Sequence, residues 1–246
     1  MRLELKIQFN TLTFLLAINL ALFLIANVLL SISSTGNQYP LLSLLGGYDF
    51  FKVTAGELWL LITSGFLHFQ LFHFIINMYS LFRLGSIVSQ IYSDKILYGV
   101  YIFGALGGSL LTLLVSLIEL FFTSSSVNYF SVGASSAIFA LIGLLLGGTL
   151  RKSRYGFDFP FSFSDILPVI IFSLLIGLIP GSNINNWAHL GGLIIGVVMG
   201  LIISHAGGFR TGLSNFFEKS MYNIAVVIGG FSFFALIANF ILTIFK

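Results

Sequence analysis

The chain has 246 residues, of which 57% are hydrophobic and only 8% are charged. Because a soluble protein carries about a quarter charged residues, this composition excludes an ordinary water-soluble domain and predicts a protein that lies in a lipid bilayer. The formal net charge is +3, and the chain has no Cys, which excludes disulfides, thiol catalysis and thiolate metal sites.

Seven apolar runs follow one another along the chain and predict an all-α membrane domain that spans residues 1–246. The first run follows Arg2 and Lys6, but it is too long for the apolar part of a signal peptide, which favours a retained helix. A long connection separates the first two helices, and a Pro-Gly pair at 180 and 181 separates the fifth from the sixth. The predicted helices are at about 12–32, 71–92, 96–118, 135–150, 164–179, 187–205 and 222–245.

The basic residues orient this predicted bundle. With the N-terminus in the cytoplasm, every Lys and Arg except Lys52 and Lys246 lies inside or toward the inside, and the C-terminus lies outside. Because the basic residues flank membrane helices and do not share one face, they do not indicate nucleic-acid binding. Arg83 falls within the second helix, and the sequence leaves open whether it reaches toward the cytoplasmic surface or faces the bundle interior.

A serine and a histidine are predicted at the same depth in the membrane. Ser135 begins the fourth helix, 16 residues before Arg151, and His189 lies near the start of the sixth helix, 16 residues before His205. At 1.5 Å per residue, each is about 24 Å above the cytoplasmic end of its helix. Since the hydrocarbon core is about 30 Å thick, both side chains are expected a few ångströms below its outer boundary.

These residue types suit acyl transfer. A serine hydroxyl becomes a nucleophile when a nearby base takes its proton, and neutral imidazole can be that base. A helix N-terminus at Ser135 supplies free N–H groups for a developing oxyanion. His73 and Asn77, four residues apart on the second helix, would add donors from one face. Because no carboxylate is predicted at this depth, the sequence indicates a Ser–His dyad and not a triad.

Small residues predict that the fourth and sixth helices pack closely. One face of the sixth helix carries small residues below His189, and one face of the fourth carries a similar stripe beside Ser135. In lipid, such stripes let two helix backbones approach, which would bring Ser135 toward His189. The two stripes are Gly192, Gly196 and Gly200, and Ser136, Ala140, Gly143 and Gly147.

Three segments resemble the signature motifs of the rhomboid intramembrane serine proteases, in the same order and spacing. Residues 133–139, Gly-Ala-Ser-Ser-Ala-Ile-Phe, are similar to the nucleophile segment of that family. Residues 188–192, Ala-His-Leu-Gly-Gly, are similar to its histidine segment. Residues 68–78, which include His73 and Asn77, are similar to its second-helix signature. The resemblance covers about residues 57–205.

The resemblance implies both a fold and an activity. The fold is a six-helix core, about 12–205, with an additional C-terminal helix at about 222–245. The activity is hydrolysis of transmembrane protein substrates in the bilayer, with Ser135 as nucleophile, His189 as base, and His73, Asn77 and Ser135 at the oxyanion. Small residues are expected at the cleavage point. No metal or organic cofactor is implied, no oligomeric state is indicated, and the expected location is a bacterial cytoplasmic membrane.

The chain departs from the family pattern at three positions. Ser136 follows the nucleophile where the family commonly has glycine. Leu60 follows Trp59 where the family often has a Trp-Arg pair, and Ser89 stands where a glutamate is usual. The last two departures concern scaffold contacts, so they bear on stability and loop position more than on chemistry.

Each motif alone has a simpler interpretation. A Gly-Ala-Ser-Ser segment is commonly the start of a helix, a histidine near an interface is commonly hydrated, and His73 with Asn77 could join two helices by hydrogen bonds. We expect His68 to be structural, and Tyr48 and Trp59 to anchor the chain at the membrane interface.

Other membrane mechanisms fit less well. An aspartyl protease needs two carboxylates within the bilayer, whereas every Asp and Glu lies in a predicted loop or at a helix end. A His-Glu-x-x-His zinc motif is absent from the sequence. Two alternatives remain open: a non-catalytic rhomboid relative that binds membrane clients, and a small multipass carrier.

Overall fold

The computed structural model describes residues 10–33, 37–123, 130–155, 159–179, 181–203 and 212–245, with the backbone alone at 152–155 and 213. Several residues used in the sequence predictions lie outside this part, and the structure does not test what was predicted for them. They are Arg2, Lys6, Pro180, His205, Arg210 and Lys246.

The described residues form ten α-helices and one pair of short strands. Their bounds are Thr11–Ile32 (α1), Tyr39–Leu44 (α2), Tyr48–Asp49 (β1), Phe50–Thr54 (α3), Leu60–Thr63 (α4), Leu71–Ile91 (α5), Asp94–Thr123 (α6), Phe130–Ser131 (β2), Ser135–Tyr155 (α7), Phe163–Ile176 (α8), Asn186–Ile202 (α9) and Gly212–Ile244 (α10). A 3₁₀ turn at Ser64–Phe66 follows α4.

Four helices in this part of the chain are long and apolar enough to cross a membrane: α1, α5, α6 and α10. The other predicted spans correspond to shorter apolar helices, with 14 residues in α8 and 17 in α9. At 1.5 Å per residue these two are about 21 and 26 Å long, less than the roughly 30 Å of a hydrocarbon core. The described helices thus establish an integral membrane protein, and the exact number of spans stays a prediction.

The long connection after α1 is more ordered than the sequence indicated. It contains α2, α3, α4, the 3₁₀ turn and β1, none of which the apolar pattern predicted. Asp49 caps α3 by accepting the N–H groups of Phe51 and Lys52. Strand β1 pairs antiparallel with β2, with Tyr48 opposite Ser131. This pairing attaches the connection to the chain just ahead of α7.

Tyr48 does not anchor the chain at an interface, so that prediction was wrong. Its side chain is 1% exposed and packs with Phe50, Val53, Leu60 and Leu61. Pairing of β1 with β2 turns the ring inward, a tertiary contact that the local sequence does not reveal. Trp59 packs beside the same cluster and is partly buried.

Helices α7 and α9 pack backbone to backbone, as their small-residue stripes predicted. A Cβ added to Gly192 would collide with the Ser136 carbonyl, and one on Gly196 would collide with that of Ala140. A Cβ on Gly200 would collide in the same way with the Leu144 carbonyl. Helix α6 completes this core, because a Cβ on its Gly108 would lie 2.7 Å from the Ala188 carbonyl oxygen.

The remaining helices surround this core. Helix α10 packs on α6 and α4, α5 packs on α7, α1 and α6, and α8 packs chiefly on α7. Helix α10 begins ten residues before the predicted start at Tyr222, and its Glu218 accepts a hydrogen bond from Ser93 Oγ at 2.9 Å. Arg83 is exposed on α5, which excludes the bundle interior, one of the two placements that the sequence left open.

Candidate active site

The turn that leads into α7 is held by two hydrogen bonds that its backbone N–H groups donate, one to a backbone carbonyl and one to a side chain. Gly133 has φ +130°, a conformation that favours glycine. Its N–H donates to the Ser64 carbonyl oxygen at 3.0 Å. The Ala134 N–H donates to His68 Nε2 at 3.2 Å. Ser135 therefore begins its helix from a turn anchored to the segment just before α5.

A small hydroxyl-lined cavity lies beside Ser135. Its volume is about 10 Å³, close to what one water molecule occupies by this measure. Side chains from the connection, α6, α7 and α9 meet there, so it lies where the helices of the core converge. The lining residues are Tyr48, Ser64, Ser109, Thr112, Ser131, Val132, Gly133, Ser135, Ser136 and Ala188.

His189 is buried in the first turn of α9 and stacks on an aromatic ring of α7. Its ring lies 4.2 Å from the Phe139 ring, centroid to centroid, with 11° between the planes. Phe139 is one helical turn beyond Ser135, so the stack places the imidazole beside the start of α7. Phe139 was not predicted as a site residue, although its spacing of four residues from Ser135 places it on the same face of α7.

The start of α9 is fixed by Asn185. Its Oδ1 accepts the Ala188 N–H at 3.1 Å, which caps the helix, and its Nδ2 donates to Thr112 Oγ1 of α6 at 3.0 Å. His189 Nδ1 is buried without a hydrogen-bond partner among the described residues. Ser135 and His189 make no hydrogen bond with each other in this structure. In substrate-free enzymes such bonds are often long and tighten when substrate binds.

His73 and Asn77 face the turn before Ser135. A Cβ built on Gly133 would lie 2.5 Å from His73 Cε1 and 3.7 Å from Asn77 Nδ2. Asn77 is 4% exposed, and its Nδ2 also donates to the His73 carbonyl oxygen at 3.1 Å. The structure thus brings both predicted donors to the same turn as Ser135.

None of the described carboxylates lines the cavity beside Ser135, and three of them begin or cap other helices. Asp49 caps α3, Asp94 begins α6, and Asp165 lies in the first turn of α8. No group of three or more His, Cys, Asp or Glu side chains able to hold a metal ion occurs among the described residues. The groups gathered around the Gly133 turn are therefore hydroxyl, imidazole, amide and backbone N–H groups.

Ser136, which follows Ser135 where the family commonly has glycine, is accommodated by glycines on neighbouring helices. The Ser136 Cβ would lie 2.5 Å from a Cβ on Gly108, and the Ser136 carbonyl occupies the space beside Gly192. Because neither glycine has a side chain, Ser136 fits between α6 and α9. At the other departures, Leu60 is buried and Ser89 Oγ is buried without a partner among the described residues.

Comparisons with known proteins agree with this architecture. The Rhomboid domain model matches residues 55–206. The chain is 34% identical to RHOMBOID-like protein 6, mitochondrial, of Arabidopsis thaliana over 68% of its own length and 51% of the relative. It is 30% identical to RHOMBOID-like protein 5 of the same plant, over 68% of this chain and 51% of the relative.

A bacterial relative aligns over more of the chain. Rhomboid protease GluP of Bacillus subtilis is 30% identical over 77% of this chain and 35% of the relative. The chain spans about half the length of the two Arabidopsis relatives it matches. A domain model that covers more than half of the chain, together with these relatives, shows that the chain belongs to the rhomboid family.

Proposed function

We propose that the chain is an intramembrane serine endopeptidase that hydrolyses peptide bonds in or next to transmembrane segments of its substrates. The observation that carries the proposal is the convergence of four side chains near one turn. Ser135 begins α7 at this turn, His189 stacks on the next turn of α7, and His73 and Asn77 face Gly133. Family membership supports the same activity, since relatives named as proteases share the domain.

In the proposed reaction, Ser135 Oγ attacks the carbonyl carbon of the scissile bond while His189 accepts its proton. The tetrahedral intermediate carries its negative charge on the former carbonyl oxygen, which the Ser135 N–H, His73 and Asn77 stabilise as donors. The C–N bond then breaks, and His189 returns the proton to the leaving amine. An acyl-enzyme ester on Ser135 remains.

Water completes the cycle. It attacks the ester carbon, His189 accepts the water proton, and the proton passes to Ser135 Oγ as the acid product leaves. The cavity beside Ser135 has room for about one water molecule and is lined by hydroxyl groups that can hold it, including Ser109 and Thr112. The same small volume suits small side chains at the cleavage point.

The proposed topology has six core spans and one appended span, α10, with the N-terminus in the cytoplasm of a bacterial cell and the C-terminus outside. Helices α7, α8 and α9 would cross with α1, α5 and α6. Because α8 and α9 are shorter than the hydrocarbon core, the bilayer would thin around them. Thinning would bring the outer aqueous phase closer to Ser135, which supplies hydrolytic water.

Substrate access is proposed beside α8. This helix packs chiefly on α7, contains Pro168, and buries only Ile166 and Ile170. Its C-terminal end is tied to α9 through Asn186 Nδ2, which donates to the Leu174 carbonyl oxygen at 3.1 Å. Outward movement of α8, with the loop that follows it, would open a lateral path to Ser135.

The test is turnover of a fluorogenic transmembrane substrate by the full chain in liposomes. Wild type should cleave it, Ser135→Ala should leave it intact, and Ser136→Gly should still cleave it because Ser136 neither gives nor accepts a proton in the proposed reaction. Binding of the substrate without cleavage by folded wild type would favour the alternative, a rhomboid relative that holds membrane clients.

A further inference from the structure

A buried histidine outside the proposed dyad contacts the peptide group just before the nucleophile. His68 lies between the 3₁₀ turn and α5, and its side chain is 0% exposed. Its Nε2 accepts the N–H of Ala134, the residue directly before Ser135, at 3.2 Å. Its Nδ1 is buried beside the Phe66 backbone carbonyl, a contact that falls short of full hydrogen-bond geometry. The contact with Ala134 is thus the hydrogen bond of this ring that reaches the turn before Ser135.

The chemistry of the imidazole suits it to be a permanent acceptor. A histidine nitrogen accepts a hydrogen bond only when it carries no proton, so the Ala134 contact requires neutral His68 with its proton on Nδ1. Burial lowers the pKa of His68 to about 3, and the nearby His73 lowers it further in the same direction. The ring therefore stays neutral, and Nε2 stays an acceptor, throughout the physiological pH range.

Packing alone does not account for a histidine at this position. A leucine would fill much of the same space without burying an N–H whose hydrogen bond is poor, which is unfavourable in an apolar interior. What a leucine would lack is the acceptor for the Ala134 N–H. The hydrogen bond to Ala134 is therefore the feature that distinguishes His68 from an ordinary core side chain.

The His68–Ala134 hydrogen bond lies where a small shift of the backbone would move Ser135. The Gly133 N–H is held by the Ser64 carbonyl oxygen and the Ala134 N–H by His68, so both amides before Ser135 are fixed by one short segment. The His68 ring also lies against the His73 ring, edge to face, with centroids 5.2 Å apart. His68 thus touches both the turn that carries the proposed nucleophile and one proposed oxyanion donor.

We propose that His68 is a positioning residue: by accepting the Ala134 N–H, it holds the hydroxyl and the N–H of Ser135 in their reacting geometry. The inference rests on the proposed function. His68 itself touches neither substrate nor the reacting atoms. A displacement of about 1 Å at a reacting group can lower a rate about 10²-fold, which sets the scale of the expected effect.

The experiment compares His68→Leu, which removes the acceptor, with His68→Gln, whose side-chain oxygen can replace it. Leu67→Ala is the matched control, because Leu67 is equally buried next to His68 but its side chain has no acceptor for the Ala134 N–H. Each variant is assayed in liposomes for kcat and KM with a fluorogenic transmembrane substrate, for the rate of fluorophosphonate labelling of Ser135, and for Tm.

His68→Leu should lower kcat and the labelling rate about 10²-fold per folded molecule at unchanged KM. His68→Gln should recover most of both, and Leu67→Ala should lower Tm while the folded fraction keeps its kcat. If His68→Leu does not fold, His68→Phe, which keeps a ring but no acceptor, takes its place.

Wild-type kcat in the folded acceptor-free variant, or a loss in His68→Gln as large as in His68→Leu, would overturn the inference. The inference would also be overturned if, in all three variants, the loss of kcat were explained by the loss of Tm alone. Failure of the proposed function is distinguishable, because wild type itself would then show no Ser135-dependent cleavage.

Discussion

The α7–α9 interface and the attachment of α8 differ in how closely the helices approach. Between α7 and α9, carbonyl groups of one helix occupy the space where side chains of the other would be, as at Gly192 and Gly196. Helix α8 instead packs chiefly on α7, with only Ile166 and Ile170 buried along its length. The proposed dyad thus lies on the tightly packed pair, and the proposed substrate path lies beside the loosely attached helix.

This difference separates two demands on an enzyme in a bilayer. Ser135 and His189 come from different helices, so they need backbones that keep one spacing, and glycine contacts provide it. A transmembrane substrate must enter sideways, so one helix must be able to move without disturbing that spacing. The α7–α9 interface and the attachment of α8 can therefore be tested separately, and the expected effects are larger at the interface.

The largest effect is expected at the α7–α9 interface. Gly196→Ala would drive a methyl group into the Ala140 carbonyl, so the helices must separate, with a loss of about 3 kcal/mol in the free energy of unfolding and most of the activity. The matched control is Gly230→Ala on α10, where nothing lies within 4 Å of an added Cβ. It should keep wild-type activity and gain slightly in helix stability. Equal Tm values for the two variants would contradict close packing at Gly196.

The proposed oxyanion donors should come next. Asn77→Ala and His73→Ala should each lower kcat by up to about 10²–10³-fold, less where the remaining donors compensate, with little change in KM. Asn27→Ala is the control, because Asn27 also donates to a carbonyl one turn earlier in its own helix but lies in α1. If both α5 variants have the kcat of wild type in the same liposomes, their assigned role as oxyanion donors is wrong.

Removing the ring under His189 should have a moderate effect. Phe139→Leu keeps an apolar side chain but loses the stack, which is worth about 1 kcal/mol and corresponds to roughly fivefold in kcat. Phe139→Tyr should stay near wild type because it keeps the ring. A rate for Phe139→Leu that equals that of Phe139→Tyr would mean that the stack does not orient the imidazole.

The smallest effect is expected at the loosely attached helix. Asn186→Ala removes the hydrogen bond to the Leu174 carbonyl, so α8 should move outward more readily and cleavage of a transmembrane substrate should rise roughly twofold to threefold, the scale of one modest hydrogen bond. Fluorophosphonate labelling, which needs no lateral entry of a helix, should stay unchanged. A parallel rise in labelling would place the effect at Ser135 and not at α8.

Restraining α8 gives the opposite test. The chain has no Cys, so a single pair introduced at the outer ends of α5 and α8 can be crosslinked cleanly. Crosslinking should suppress cleavage of a transmembrane substrate, and reduction should restore it. Unchanged turnover with crosslinking verified would exclude entry between these helices.

The sequence predicted the parts of the fold that depend on long apolar runs and on helical spacing. The four long helices and the glycine contacts of α7 with α9 follow from such patterns. The elements of the connection after α1 do not, because β1 forms by pairing with β2, far away in the chain, and Tyr48 is buried as a result. Short helices such as α4 likewise form on tertiary contacts, which local propensity does not encode.

The sequence likewise predicted some residues of the candidate site and missed others. Ser135, His189, His73 and Asn77 carry recognisable chemistry at recognisable spacings, so the sequence alone selected them. Phe139 carries no reactive group, and its contact with His189 exists only once α7 and α9 are packed.

The central claim is that Ser135 is a nucleophile activated by His189. A fluorophosphonate should label folded wild type at Ser135, with the adduct located by mass spectrometry of the labelled peptide. Labelling should vanish in Ser135→Ala, fall steeply in His189→Ala, since an unassisted hydroxyl is an ordinary alcohol, and persist in Ser136→Gly. An adduct on Ser136, or equal labelling with and without His189 in folded protein, would contradict the account.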